Sequence, residues 1–142
     1  MAEVMKLHFT VHGDDFTRAG ETSSKVKKTL NQLGFAPEIV RKVAIAMYEG
    51  EINMVIHADG GDIDVDISPD EIVVVMKDKG PGIPDIEMAM KEGYSTADSS
   101  VRELGFGAGM GLPNMKRYSD DMKVETVVGE GTTVTLVISA KN

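Results

Sequence analysis

The run from Gly105 to Leu112 constrains this chain more than any other segment, because a glycine stands at every second position up to Gly111. A flexible linker is the ordinary reading of so much glycine, but a linker seldom holds residues such as Phe106 and Met110 or leads straight into a helix. Backbone N–H groups along the run can point at an anion, and the N-terminus of the following helix adds its dipole. The run therefore predicts a phosphate-binding loop.

A second segment follows an apolar run over residues 72–76 and consists of Asp78 with Gly80 and Gly82. A carboxylate at the end of a strand can accept a hydrogen bond from an exocyclic amine such as that of adenine. The two glycines let the backbone turn sharply and approach a ligand closely. Alone, this pattern is equally compatible with a plain turn.

A third segment places Glu49 four residues before Asn53 in a predicted helix. This spacing puts both side chains on one helix face. The carboxylate can serve a water or hydroxyl group, and the amide oxygen can serve a Mg²⁺ ion. Alone, the pair is more typical of a solvated helix face.

Other nucleotide and metal motifs are excluded. The chain has no Gly-Lys pair and hence no P-loop, no G-x-G-x-x-G, and neither the H-R-D nor the D-F-G kinase signature. The aspartates Asp62, Asp64 and Asp66 begin like a calcium loop. However, Ile67 holds the required glycine position and Val73 the glutamate position.

Hydrophobic periodicity predicts one α/β domain over residues 1–142, a two-layer sandwich with helices on one face of a mixed sheet. Its length and its 42% hydrophobic share suffice for a core. The predicted elements are a strand over 6–12, helices over 15–33 and 37–57, a strand over 63–67, a strand over 72–76 buried on both faces, helices over 86–90 and 113–118, and strands over 124–128 and 133–138.

Charge and composition exclude several partners. A net charge of −8 repels nucleic acid on average. No apolar run approaches the roughly 20 residues of a membrane helix, and no signal peptide is evident. The absence of cysteine excludes disulfides and thiolate metal sites. We therefore expect no nucleic-acid and no membrane partner, and a cytoplasmic location.

In this order and spacing, the three segments resemble the GHKL ATPase superfamily of gyrase, histidine kinases, mismatch-repair ATPases and heat-shock chaperones. The resemblance implies the Bergerat, or histidine-kinase-like ATPase, fold. The matching positions are Glu49 and Asn53 for the N box, Asp78, Gly80 and Gly82 for the first glycine box, Gly105 to Leu112 for the second, and Gly131-Thr132-Thr133 for the closing Gly-Thr element beside adenine.

Within the superfamily, the stretches DKGPGIPD (78–85), EGYST (92–96), GLPNMKR (111–117) and GEGTT (129–133) resemble bacterial stress-response switch kinases. Those anti-sigma-factor serine/threonine kinases act on STAS-domain proteins in partner-switching modules. The run over 53–57 is closer to sporulation-type anti-sigma factors.

The resemblance implies an ATP- and Mg²⁺-dependent protein serine/threonine kinase. Glu49 would be the general base, Asn53 would hold Mg²⁺ and Asp78 would contact adenine. The implied partners are a STAS-domain anti-sigma-factor antagonist or a similar protein, a sigma factor or a phosphatase, and a second copy in a homodimer. The implied nucleotide-binding residues are Asn53, Asp78, Gly80, Gly82, Ile83, Gly105, Gly107, Gly109, Met110, Gly111, Leu112, Thr132 and Thr133.

Two other functions stay open. The first is a nucleotide-gated binding module that sequesters a sigma factor or activates a phosphatase without significant kinase activity. The second is a detached histidine-kinase catalytic domain. Glu49 favours the kinase, because a pure binding module does not need a base.

The chain departs from the family at two places. The expected lid over 92–109 contains a stretch, Ala97 to Phe106, that looks longer than in the stress-switch kinases. Gly50 and Glu51 are unusual in the N-box helix. Gly50 costs roughly 1 kcal/mol relative to alanine, and Glu51 should lie on a different helix face from Glu49.

Overall fold

The computed structural model describes residues 4–12, 20–57, 60–78, 111–127 and 129–140. They form a five-stranded sheet with helices packed on one side. In chain order the elements are β1 (Met5–His12), α1 (Glu21–Gln32), α2 (Pro37–His57), β2 (Gly60–Ile67), β3 (Glu71–Asp78), α3 (Gly111–Arg117), β4 (Asp121–Val127) and β5 (Gly131–Ser139).

The strand order is β1-β2-β3-β5-β4, and every neighbouring pair is antiparallel. The predicted mixed sheet is therefore wrong for the described strands. The connection from β3 through α3 does return a strand, β4, that runs in the same direction as β3. The β4–β5 hairpin then places β5 between them, so the two parallel strands are not neighbours.

The core lies between the sheet and α2, which contacts β1, β2, β3 and β5. Alternate residues of the three central strands point toward the helix because side chains alternate between the faces of a strand. Each fully buried aliphatic side chain contributes about 1.5–3 kcal/mol. The residues with no exposed surface are Val26, Leu30, Val43, Ala46, Met47, Ile63, Val65, Ile72, Val74, Leu136 and Ile138.

The opposite face of β3 is only half-buried. Val73 pairs between Asp66 and Val137 in the register of the sheet, and Val75, two positions further along on the same face, pairs between Asp64 and Thr135. The predicted burial of β3 on both faces is wrong, because the described helices lie on the other side of the sheet. β3 is therefore a central strand with one apolar face and one mixed face.

The helix bounds follow local signals in α2 and depart from them in α1. α2 begins at Pro37, as predicted from the preference of proline for the first helical turn. The helix predicted over 15–33 does not extend through Gly20, because Gly20 adopts a left-handed φ of 92° and α1 begins after it. Residues 15–19 lie outside the described residues. No helix within the described ranges is long and apolar enough to cross a membrane.

Candidate functional site

Glu49 lies on the side of α2 that faces α3. The side-chain amide of Asn114 donates a hydrogen bond to Glu49 Oε1 at 3.3 Å. Burial raises the pKa of the half-buried Glu49 carboxyl group, and the bond from Asn114 opposes that rise. A carboxylate with a raised pKa is a stronger proton acceptor than an exposed one, which is the property that a general base requires.

Asn53 lies one helical turn after Glu49 and also faces α3. Its Nδ2 atom is 4.0 Å from the sulfur of Met115, which is 1% exposed. Glu49 and Asn53 therefore contact consecutive residues of α3. This arrangement confirms that the two side chains share one face of α2.

Gly50 allows α2 to approach the sheet closely at this point. A Cβ atom on residue 50 would overlap the Sδ atom of Met76 and come within 3.0 Å of the Cε atom of Met115. The glycine that looks unfavourable in the helix therefore lies where the ends of two methionine side chains would have to shift to admit a Cβ atom. Because residue 50 has no side chain, α2 lies close to both β3 and α3 at the position next to Glu49.

Glu51 lies on another side of α2 and is 2% exposed. Its two oxygens accept hydrogen bonds from the backbone N–H groups of Thr22 (3.2 Å) and Ser23 (3.1 Å). These are two of the first N–H groups of α1, whose N-cap residue, Gly20, supplies no side-chain cap. Glu51 therefore caps α1 from a different helix, a role that the sequence pattern did not predict.

Asp78 ends β3 on the side of the sheet that carries the helices. The backbone N–H of Thr132 donates to Asp78 Oδ1 at 3.0 Å. Thr132 is 6% exposed, and its hydroxyl lies 2.9 Å from the hydroxyl of Thr126. The first glycine box and the closing Gly-Thr element therefore meet, as the resemblance implies for groups beside adenine.

Thr133 is placed differently from Thr132. It pairs with Lys77 in the register of β3 and β5, and strand alternation directs its side chain to the sheet face away from the helices. Thr133 stays a predicted nucleotide-binding residue, whose side chain lies on the other sheet face from that of Thr132.

The second glycine box is described only at its end, where Gly111 and Leu112 begin α3. The lid over 92–109 and the helix predicted over 86–90 lie outside the described residues. So do the remaining predicted nucleotide-binding positions, which are Gly80, Gly82, Ile83, Gly105, Gly107, Gly109 and Met110.

A metal held by protein side chains alone does not fit the described part of the chain. No group of three or more histidine, aspartate or glutamate residues with an arrangement that could hold a metal ion is found there. Mg²⁺ is commonly bound through one or two protein oxygens together with phosphates and waters. The amide oxygen of Asn53 suits that second mode, in which the nucleotide supplies most of the ligands.

Sequence reasoning did not single out Asn114 or Met115, although both lie in the GLPNMKR stretch. Glu49 and Asn114 are 65 positions apart in the chain. Only the packing of α3 against α2 brings them together. The one available signal was that GLPNMKR follows the second glycine box directly.

Comparisons with known proteins agree with this geometry. The family model described as histidine kinase-, DNA gyrase B-, and HSP90-like ATPase matches residues 52–142. That match begins three residues after Glu49.

Two relatives match over most of their length. The serine/threonine-protein kinase RsbT of Bacillus subtilis is 32% identical over 124 residues, 84% of this chain and 85% of the relative. The anti-sigma F factor of Geobacillus stearothermophilus is 29% identical over 142 residues, 96% of this chain and 92% of the relative.

A solved structure, that of the RsbU and RsbW domains of Rv1364c from Mycobacterium tuberculosis, superposes with a TM-score of 0.63 at 15% identity. The alignment covers 94% of this chain and 31% of that chain. At this identity the similarity is evidence for the fold. Because the family model covers well over half of the sequence and RsbT matches along most of it, the chain belongs to the family of histidine kinase-, DNA gyrase B- and HSP90-like ATPases.

Proposed function

We propose that this protein is an ATP- and Mg²⁺-dependent protein serine/threonine kinase of the anti-sigma-factor type, which phosphorylates a STAS-domain partner in a partner-switching module. One observation carries the proposal. Glu49, a half-buried carboxylate with a raised pKa, lies one turn before Asn53 on the helix that packs beside the strand ending at Asp78. The names of the relatives, a serine/threonine-protein kinase and anti-sigma F factors, support the same function.

Each of the described site residues has a role in this proposed function. Glu49 accepts the proton of the target serine or threonine hydroxyl. Asn53 would hold Mg²⁺, which when bound supplies charge neutralisation at the phosphates. Asp78 would accept a hydrogen bond from the adenine amine, and the N–H of Thr132 holds its carboxylate in place. Phosphoryl transfer depends on positioning and charge neutralisation more than on covalent catalysis, so Mg²⁺, the glycine-box amides and one carboxylate base could supply it.

A second candidate function is nucleotide-gated sequestration of a sigma factor without significant kinase activity. The relatives named anti-sigma F factor favour it. The placement of Glu49 favours the kinase, because sequestration has no need of a half-buried carboxylate at this position. A single domain over residues 1–142, a cytoplasmic location and a homodimer stay predictions.

The deciding experiment incubates the protein with ATP, Mg²⁺ and the STAS-domain protein encoded nearest to it. Mass spectrometry should find phosphoserine or phosphothreonine on the partner, and EDTA should abolish the product. If the partner binds in an ATP-dependent way but never gains phosphate, the result would support the nucleotide-gated binding module instead of the kinase.

The Asp78→Asn variant tests the adenine contact in parallel. Hydrogen bonds to charged groups contribute roughly 1.5–3 kcal/mol, so calorimetry should show ATP affinity weakened by about 10- to 150-fold. Unchanged affinity in a folded variant would refute the role of Asp78.

A further inference from the structure

Asn114 holds a position that the proposed chemistry has not yet used. It lies in the middle of α3, is half-buried, and donates its side-chain N–H to Glu49 Oε1 at 3.3 Å. On the basis of the proposed kinase function, we propose that Asn114 is a positioning residue that orients the carboxylate of Glu49 for proton transfer. Its amide holds one carboxylate oxygen, so that the other oxygen accepts the proton of the hydroxyl group.

The backbone around Asn114 is held firmly on its C-terminal side. The neighbouring Met115 is 1% exposed and belongs to the core. The hydroxyl of Ser119 donates to the carbonyl oxygen of Met115 at 2.6 Å. Asp120 then joins the chain to β5, since its carboxylate accepts the N–H of Ser139 and its own N–H donates to Val137. These contacts therefore hold the backbone on the C-terminal side of Asn114 in place.

Glu49 is held equally firmly on the other side of the contact. Its neighbour Gly50 lies against the side chains of Met76 and Met115, so α2 packs closely on β3 and α3 next to Glu49. With both backbones fixed, the Asn114–Glu49 bond selects one orientation of the carboxylate before any substrate binds. Such preorganisation lowers the cost of reaching a reactive geometry.

The chemistry of an amide suits this task better than its alternatives. An arginine or lysine at position 114 would stabilise the charged carboxylate strongly and weaken it as a base. An apolar side chain would leave the carboxylate free to rotate and without a donor in a half-buried site. A neutral donor orients the group while keeping it basic.

The test uses Asn114→Ala, which should fold because alanine is the best helix former. In single-turnover assays with ATP, Mg²⁺ and the STAS-domain partner, we expect the phosphotransfer rate to fall roughly 10- to 100-fold. ATP affinity and the KM for the partner should stay within about twofold, because the amide touches neither in this proposal. Asn114→Gln, which keeps an amide donor, should recover part of the rate. Lys116→Ala, an exposed position on the same helix, is the matched control.

A second measurement needs no activity. Urea unfolding without nucleotide should compare Glu49→Ala, Asn114→Ala and the double variant. If the bond exists in solution, the two effects on the unfolding equilibrium constant are non-additive by roughly 2- to 10-fold. Additive effects would overturn the proposal.

The outcomes separate this proposal from the kinase assignment. A wild type that never phosphorylates the partner refutes the kinase and the positioning role with it. An active wild type with Asn114→Ala at the same rate refutes the positioning role alone, whatever the unfolding data show. A lower rate accompanied by an equal loss of ATP affinity would also overturn it, because that pattern indicates a general structural defect.

Discussion

Two sides of helix α2 place carboxylates in opposite situations. Glu49 and Glu51 are two residues apart, a rotation of about 200° around a helix with 3.6 residues per turn. Glu49 faces α3, is half-buried and meets one neutral amide. Glu51 faces the start of α1, is 2% exposed and meets two backbone N–H groups at a helix N-terminus. The more deeply buried carboxylate is thus the better satisfied one.

This difference indicates that hydrogen-bond partners, more than depth of burial, distinguish a carboxylate that stabilises the fold from one that can take part in proton transfer. The N-terminus of α1 stabilises negative charge through its N–H groups and its dipole. Glu51 therefore serves to hold α1 and α2 together. Within the part of the chain that the structure describes, Glu49 has a single donor, which opposes but does not outweigh the effect of burial on its pKa. It keeps the capacity to accept a proton.

The largest effect should come from Glu49→Ala. Loss of a general base should slow phosphotransfer about 10²- to 10⁴-fold, while nucleotide affinity changes little, since an anion beside phosphates does not attract them. A single-turnover assay run beside a partner pull-down measures both. Phosphorylation at the wild-type rate in Glu49→Ala would show that Glu49 is not the general base. The proposed difference in role between Glu49 and Glu51 would then be wrong.

Glu51→Gln should reverse that pattern. The amide replaces one acceptor by a donor that faces another N–H group, so we expect a loss of about 1.5–3 kcal/mol in the free energy of unfolding. Urea unfolding measures the loss, and hydrogen exchange should quicken at the amides of Thr22 and Ser23. Glu130→Gln, at an exposed hairpin position, is the control. A phosphotransfer rate that falls as far as in Glu49→Ala would show that the two carboxylates are not separate in function.

Gly50→Ala probes the residue between the two carboxylates. Helix propensity alone predicts a gain of roughly 1 kcal/mol. Overlap with Met76 predicts instead a loss of about 1–3 kcal/mol. Thermal unfolding decides the sign. The loss should shrink in a Met76→Ala background, and a gain in the wild-type background would show that the Met76 side chain moves aside and that packing does not require a glycine at residue 50.

The smallest effect concerns an exposed carboxylate, Asp64, which lies 2.7 Å from the ring of His8. The hydrogen bond that Asp64 accepts from the imidazole, with further help from Asp62, raises the pKa of His8 above 6.5. Protonated His8 therefore adds stability that is fully present below pH 6.5 and is lost as the pH rises through the raised pKa.

Urea midpoints of the wild type and of His8→Gln, measured between about pH 5 and pH 8, should converge as the pH rises. Because both side chains are exposed to solvent, the difference should be small and should shrink with added salt. Parallel curves across that range would contradict the pairing.

Much of the local structure could be predicted from the sequence. The bounds of α2, the alternation of β2 and the shared face of Glu49 and Asn53 all follow from periodicity, which reports what lies within a few residues of each position. The start of α1 at Glu21 was missed, because the apolar spacing of this region of the sequence continues across Gly20, whose backbone is left-handed. Thr133 stays a prediction from its motif, and strand alternation places its side chain on the other sheet face from that of Thr132.

The sequence by itself determined the family, the candidate polar segments of the site and the shared helix face of Glu49 and Asn53, because each of these depends on residues close together along the chain. Only the tertiary structure decided the antiparallel strand order, the close packing around Gly50, the capping of α1 by Glu51 and the contact of Asn114 with Glu49. The contacts of Gly50, Glu51 and Asn114 join residues roughly 25 to 65 positions apart. Their existence depends on how helices and strands pack, and no local period encodes it.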